Sequence, residues 1–277
     1  MIGIGQNEWA QGVPQALAEN CQIHGIPFQI LDFMNIEEVD TSEITHLAPA
    51  LLYLKPRAIE IYKELERRGV ASLNPVHSIE IADDKAETYR VLKEAKVPQV
   101  DTEIIELSES TMRKYFEEKK SEVIFKRRFG GQGRWVRVAR ESSDISEIYQ
   151  YFTEEGAGPI LAQPMIVEAQ GQSVRVIVTD NEIVTSALRT SRNDWRSNIS
   201  LGSEQIIYSL SHEEKEMSIK AVKAIGLGHA GVDLIQAKDG SRVLEVNACP
   251  DFTSMKDISP VNIAEKVISA TLKTRNL

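Results

Sequence analysis

Short apolar runs alternate with amphipathic stretches along the first third of the chain. Ile2 to Ile4 and Pro27 to Leu31 are runs of strand length, and a loop with Gly12 between them leads into a helical pattern from Pro14 to His24. Leu51 to Tyr53 reads as a third strand, followed by a helix from Arg57 to Gly69 in which Glu60 and Glu64 stand a turn away from Lys and Arg. Strands alternating with helices predict a small open α/β sheet.

The pattern then changes. Asp83 is expected to cap a helix that runs to about Lys96 and stops before Pro98. A compact α+β unit follows: strands at Thr102 to Ile105, Val123 to Lys126, Trp135 to Ala139 and Ile160 to Gln163, and helices at Glu109 to Lys119 and Ile145 to Phe152. Beyond it, Val174 to Val178 and Ile183 to Ala187 flank an Asp180-Asn181 turn. Ser211 and Glu214 form a capping box for a helix that Gly226 ends, and Asn262 to Lys273 is a terminal helix.

Chemistry enters with GVDLIQAKDGSRVLEVN, residues 231 to 247. Glu245 and Asn247 share a strand face because side chains alternate with period two. A three-residue loop, Lys238-Asp239-Gly240, would set Asp233 opposite Glu245, whereas a two-residue Asp239-Gly240 turn would set it opposite Val246. These acidic residues read either as a solvated hairpin face or as a hard-oxygen cation site. The apolar neighbours Val232, Leu234, Val243 and Val246 favour the second, since buried carboxylates need partners. GLGHAG at 226 to 231 has the spacing of a dinucleotide fingerprint, but a helix precedes it and a strand follows, so it reads as a helix stop and turn.

Composition narrows the field. With 32 Lys and Arg against 41 Asp and Glu, the net charge of −9 disfavours a general nucleic-acid surface. Cys21 and Cys249 are far apart and neither belongs to a metal-binding spacing. The N-terminus lacks the pattern of a secretory signal, and no run is long enough to span a membrane, so a cytoplasmic protein is expected. Against this acidic background Lys126, at the end of the apolar VIFK, leads into Arg127, Arg128 and GGQG (Gly130, Gly131, Gln132, Gly133). A glycine turn beside lysine can wrap phosphate, although each lysine alone, including Lys85, reads first as a surface residue. Arg189, Arg192 and Arg196 fall within eight residues, as an ordinary polar loop or as an anion clamp.

Taken in order, the pieces resemble the ATP-grasp superfamily, and within it the RimK-like and LysX-like carboxylate–amine ligases. The resemblance rests on Asp84-Lys85, VIFKRRFGGQGRWV at 123–136, ILAQPMIVEAQGQSVRV at 160–176, DWRSNISLGS at 194–203, and AGVDLIQ with VLEVNACPDF between 230 and 252. It implies an ATP-grasp fold, α/β and α+β, behind a small N-terminal α/β domain, with boundaries at 1–83, 84–163 and 164–277. It implies ATP-dependent amide formation through an acyl phosphate, with an amino acid as one substrate. A small-molecule kinase or a nucleotide sensor without turnover would use the same nucleotide machinery.

The site residues follow from the same resemblance. Lys85, Lys126 and the lid Gly130 to Gly133 would meet the ATP phosphates, and Gln163 to Ile166, with Met165, would read adenine through the backbone. Asp233, Glu245 and Asn247 would hold Mg²⁺, commonly two ions, with Mn²⁺ as a substitute. Arg196, Ser197 and Asn198 would flank the γ-phosphate, while Arg189, read as part of the anion clamp, would meet the substrate carboxylate or acyl phosphate. Ser173 stands where the family has a ribose-binding Asp, which leaves Glu168 as the ribose candidate. Cys249 and Asp251 also depart from the pattern, Cys249 as a structural variation. Implied partners are small carboxylates and amines, a peptide or a carrier-protein tail, with no nucleic acid or membrane, in a homo-oligomer.

Overall fold

The strands nearest the N-terminus are apolar on both faces, which suits a parallel sheet covered on both sides. In the computed structural model, which describes residues 1–6, 12–33, 40–52, 55–131 and 133–275, they form one. β1 (Ile2–Gln6), β2 (Phe28–Asp32), β3 (His46–Leu47) and β4 (Ala71–Ser72) pair in parallel in the order β2-β1-β3-β4. The crossovers are α1 (Gly12–Ile23) and α2 (Pro56–Arg67). The third strand lies at His46–Leu47, earlier than expected. Leu51 and Leu52 belong to no strand, and Tyr53 lies outside the described residues. Pro49 accounts for the early stop, because it has no N–H to extend a ladder.

Two helices then lead to the next unit, α3 (Val76–Asp83) and α4 (Lys85–Glu94). The cap of α4 is Asp84, not Asp83. Its Oδ1 accepts from the Ala86 and Glu87 N–H groups at 3.0 and 3.4 Å, and its backbone is extended, as a cap requires. Asp83 is the last residue of α3, so its side chain is left for another role.

The middle unit packs α5 (Glu109–Lys119) and α6 (Asp144–Glu154) on an antiparallel sheet. That sheet comprises β5 (Glu103–Ile105), β6 (Val123–Arg127), β7 (Val136–Ala139) and β8 (Ile160–Pro164), in the order β5-β8-β6-β7. It has its own core, around Met112, Tyr115, Phe125 and Phe152. The C-terminal sheet is also antiparallel. Its strands are β9 (Gln172–Thr179), β10 (Glu182–Thr190), β11 (Glu204–Ile207), β12 (His229–Ala237) and β13 (Gly240–Asn247), ordered β11-β10-β9-β12-β13. α7 (His212–Ile225) and α8 (Ile263–Lys273) cover it. Asp180 and Asn181 make the β9–β10 turn with φ of +52° and +62°, values these short polar residues tolerate.

The N-terminal and C-terminal sheets share apolar cores. Leu47, Leu65 and Ile79 pack in one cluster with Val176, Val232 and Val246, while Ile2 and Ile4 join Ile177 and Val267 in another. No described helix is long and apolar enough to cross a membrane.

The β12–β13 hairpin departs from expectation in its turn and agrees in its register. Ala237 pairs with Gly240, so the turn is the two residues Lys238-Asp239, not a three-residue loop. Asp233 still lies opposite Glu245, because the register shifts after Leu234–Val243 and leaves Leu244 as an extra residue. That β-bulge supplies the single-residue slip expected of the loop, and it turns Glu245 onto the face of Asp233.

Candidate active site

Two adjoining cavities open where the middle unit, the C-terminal sheet and the end of α3 meet. Of the candidate residues named for ATP, Mg²⁺ or substrate, all but three line the first; Arg192 of the suggested clamp lies outside it and pairs with Glu204. Asn247 lines the second, Glu168 lines neither, and Gln132 lies outside the described residues.

Lys126 stands on β6 with 8% of its surface exposed. Burial pushes its ammonium down to about 8, against the pull of Glu245. Lys85, the first residue of α4, reaches Glu245 at 3.2 Å and also donates to the Gly130 carbonyl. Burial acts to raise the Glu245 carboxyl, but Lys85 and Lys126 outweigh it and hold the group below the usual carboxylate range. The two lysines and Glu245 thus form a charged cluster whose cations face a space able to hold an anion.

Asp233 is buried and its two oxygens accept from Arg175, at 2.6 Å from Nε and 2.7 Å from Nη2. Arg175 was not among the residues singled out, although a lone cation in the apolar run SVRVIV, two positions from Ser173, was a usable signal. The β9–β12 register sets it directly opposite Asp233. Gly231 makes room, since a Cβ there would stand 2.8 Å from the Arg175 guanidinium. Arg189 on β10 is 6% exposed and comes no nearer to Asp233 than 3.8 Å, while its Nε has no partner among the described residues. Burial, with Arg175 beside it, pushes the Arg189 guanidinium down to about 10. Asn247 points its amide nitrogen at Asp233 Oδ2, 3.4 Å away.

The glycine turn closes over this cluster. Arg196 Nη1 donates to the Gly133 carbonyl at 2.6 Å, and Asp194 holds the same guanidinium from its other side at 2.8 and 3.0 Å. Gly133 has φ of +67°, and a Cβ on it would lie 2.8 Å from Asn198 Oδ1. The positive φ favours glycine, and a side chain there would also have to displace the Asn198 amide. The foot of the turn is tied down by Arg128, which makes a bidentate pair with Asp84 at 2.6 Å through each nitrogen.

On the far wall the Met165 N–H donates to the Glu122 carbonyl at 2.8 Å, and Gln163 Nε2 to Thr102 Oγ1 at 2.6 Å. Ser173 Oγ is 2.6 Å from Ser197 Oγ. Glu168 is turned away and accepts the Lys238 N–H at 2.9 Å, bracing the hairpin turn.

The second cavity shares Lys85, Arg189, Asn198, Asp233 and Glu245 with the first and adds Asp83, Asn247, Cys249 and Asp251. Burial pushes the Asp83 carboxyl up to about 7 despite Lys85. Burial likewise pushes the Cys249 thiol up to about 12, so it carries no thiolate for chemistry at neutral pH.

Comparison with known proteins gives the family of the chain. A family profile described as a RimK-like ATP-grasp domain matches residues 82–271. The tetrahydromethanopterin:alpha-L-glutamate ligase of Methanocaldococcus jannaschii is 30% identical over 206 residues, 73% of this chain and 70% of that one. A probable alpha-L-glutamate ligase of Haemophilus influenzae is 32% identical over 209 residues, 75% of this chain and 68% of its own. Among solved structures, the ATP-grasp ligase PsnB, complexed with a phosphomimetic variant of minimal precursor, Mg and ADP, superposes with a TM-score of 0.74 at 19% identity. That likeness, over 98% of this chain and 97% of the other, is one of fold.

Proposed function

The chain belongs to the RimK-like ATP-grasp family, and on that premise we propose how its residues divide the work. It is an ATP-dependent ligase that joins a carboxylate to an amine. In our reading ATP occupies the first cavity, with its phosphates toward Lys85 and Lys126 under the glycine lid and its adenine toward Gln163, Met165 and Ile166. A substrate carboxylate attacks the γ-phosphorus from the second cavity, giving an acyl phosphate and ADP. An amine then attacks the acyl carbon and phosphate leaves.

The observation that carries this reading is the shared wall. Two cavities that have Lys85, Arg189, Asn198, Asp233 and Glu245 in common suit a phosphoryl group passing from one occupant to the other. The protein's contribution is positioning and charge neutralisation. Lys85, Lys126 and Arg196 would face the phosphates, Asn198 would lie beside the γ-phosphate, and Arg189 would pair with the substrate carboxylate. A closed lid would shield the acyl phosphate from water.

The donor set fits Mg²⁺. Asp233, Glu245 and Asn247 offer hard oxygens, and Glu245 is ionised in spite of burial. Arg175 uses only part of the lone-pair capacity of Asp233. Among the described residues no three His, Cys, Asp or Glu side chains converge, so nucleotide phosphates and water would complete the shell. Bound Mg²⁺ supplies Lewis-acid neutralisation of phosphate charge. We propose two ions, with Mn²⁺ as a substitute.

An amino acid as one substrate, a cytoplasmic setting, a homo-oligomer and no nucleic-acid partner belong to the same reading. The test is hydroxylamine trapping over an amino-acid panel. Formation of a hydroxamate with ADP release is expected. ATP consumption that yields a phosphorylated product and no hydroxamate would show a kinase instead.

A further inference from the structure

We infer that Asp83 receives the ammonium group of the amine substrate and selects for it. The inference rests on the ligase reading above and adds a residue that the family-like motifs do not contain.

The argument is a matching of charges around the second cavity. Arg175 is committed to Asp233 through two short hydrogen bonds, and Lys85 to Glu245 at 3.2 Å. Asp251 Oδ1 accepts from the Thr253 N–H and Oγ1 at 2.9 and 2.6 Å, which makes it part of a local turn. Arg134, also on the lining, lies over the Trp135 ring at 5.6 Å. Two further charged groups on the lining stand apart from these pairings. One is Arg189, which stays 3.8 Å from Asp233 and whose buried Nε has no partner among the described residues. The other is Asp83, for which no hydrogen bond or ion pair is found among the described residues. A carboxylate in a recess without a partner is costly, and a proton or an arriving cation relieves the cost. Lys85, two residues on, forms its ion pair with Glu245 and not with Asp83.

The two reactants of an amide ligase carry opposite charges before reaction. A carboxylate matches Arg189, and an ammonium matches Asp83, in one cavity beside the phosphates. Asp83 is placed by its own chain position: it ends α3, and because Asp84 is the cap of α4 its carboxylate is not drawn into capping.

The test separates binding of an ammonium from the earlier steps. Hydroxylamine is neutral at neutral pH and captures an acyl phosphate without needing an ammonium site. Wild type and Asp83→Asn are given ATP, Mg²⁺, each common L-amino acid as carboxylate donor, and either hydroxylamine or glycinamide as nucleophile. Products are identified by mass. In Asp83→Asn the hydroxamate rate should stay within about twofold, while the glycinamide reaction falls at least ~10-fold through a raised KM for glycinamide. The hydroxamate reaction also reports that the variant is folded, and Asp83→Ser repeats the comparison with a smaller side chain. Asp83→Glu, which keeps the charge, should recover part of the amide rate. Equal loss of both reactions would overturn the inference and give Asp83 a role in phosphoryl transfer or folding, and an unchanged glycinamide reaction would overturn it outright. Absence of hydroxamate from wild type with every donor would overturn the ligase reading itself.

Discussion

Single side chains in this site have their proton affinities moved by burial and by one another. Lys126 is the clearest case, since burial brings its ammonium down to about 8. Below that pH it is charged and ready for phosphate. Above it the free protein holds a neutral amine, and binding an anion must first take up a proton. Affinity for ATP should therefore weaken as pH rises from 7 to 9, by at most ~10-fold per unit for one proton, and Lys126→Arg should flatten the dependence. Calorimetric titration in two buffers of different ionisation enthalpy would read both the affinity and the proton uptake. Glu245 is the counterpart, an anion kept ionised by Lys85 and Lys126. Glu245→Gln keeps the shape and removes the charge. Mg²⁺-dependent turnover should fall at least ~100-fold while the far-ultraviolet circular dichroism is unchanged. Full activity in that variant would remove Glu245 from the metal role.

Elements place these side chains through small irregularities. The bulge at Leu244 puts Glu245 on the face of Asp233, and the β9–β12 register puts Arg175 across from it. The glycine turn proposed as a lid depends on Gly133, which combines φ of +67° with close approach to Asn198 and whose carbonyl accepts from Arg196. Gly133→Ala forces that turn outward. Amide formation is expected to drop about 10- to 100-fold, with a larger share of ATP lost to hydrolysis, because a displaced lid admits water. The ratio of released phosphate to amide product measures it, and an unchanged ratio would mean the lid does not shield the intermediate.

At the scale of the whole molecule, the N-terminal α/β unit is bound to the C-terminal sheet by shared cores and by one buried side chain. Asn74, just after β4, donates to the carbonyls of His229 and Ala248 at 2.7 Å each and accepts from the N–H groups of Gly228 and His229 at 3.0 and 2.8 Å. Every hydrogen-bonding position of the amide is used. Asn74→Ala would leave these backbone groups buried without partners and should cost at least ~3 kcal/mol in urea unfolding. The same joint brings Asp83 and Asn247 to one cavity, so activity should fall in parallel with stability in that variant.

The sequence by itself determined the kinds of element and the residue types of the candidate site. Period-two and helical patterns are local, and VIFK, the glycine turn, RSN and D…E-x-N each carry their chemistry within a few positions. It could also establish that GLGHAG is a helix stop, because the order of elements around it is readable: Gly226 does end α7 in a left-handed conformation. Tertiary structure decided what depends on partners far along the chain. The turn was misjudged because a loop and a bulge give the same slip, and only the ladder distinguishes them. Asp84 and Asp83 are adjacent aspartates, and which one caps is set by where α3 ends. Arg175 meets Asp233 across 58 positions, and Asn74 meets His229 across 155. Interactions at such separations follow from sheet pairing and packing, which no local pattern contains.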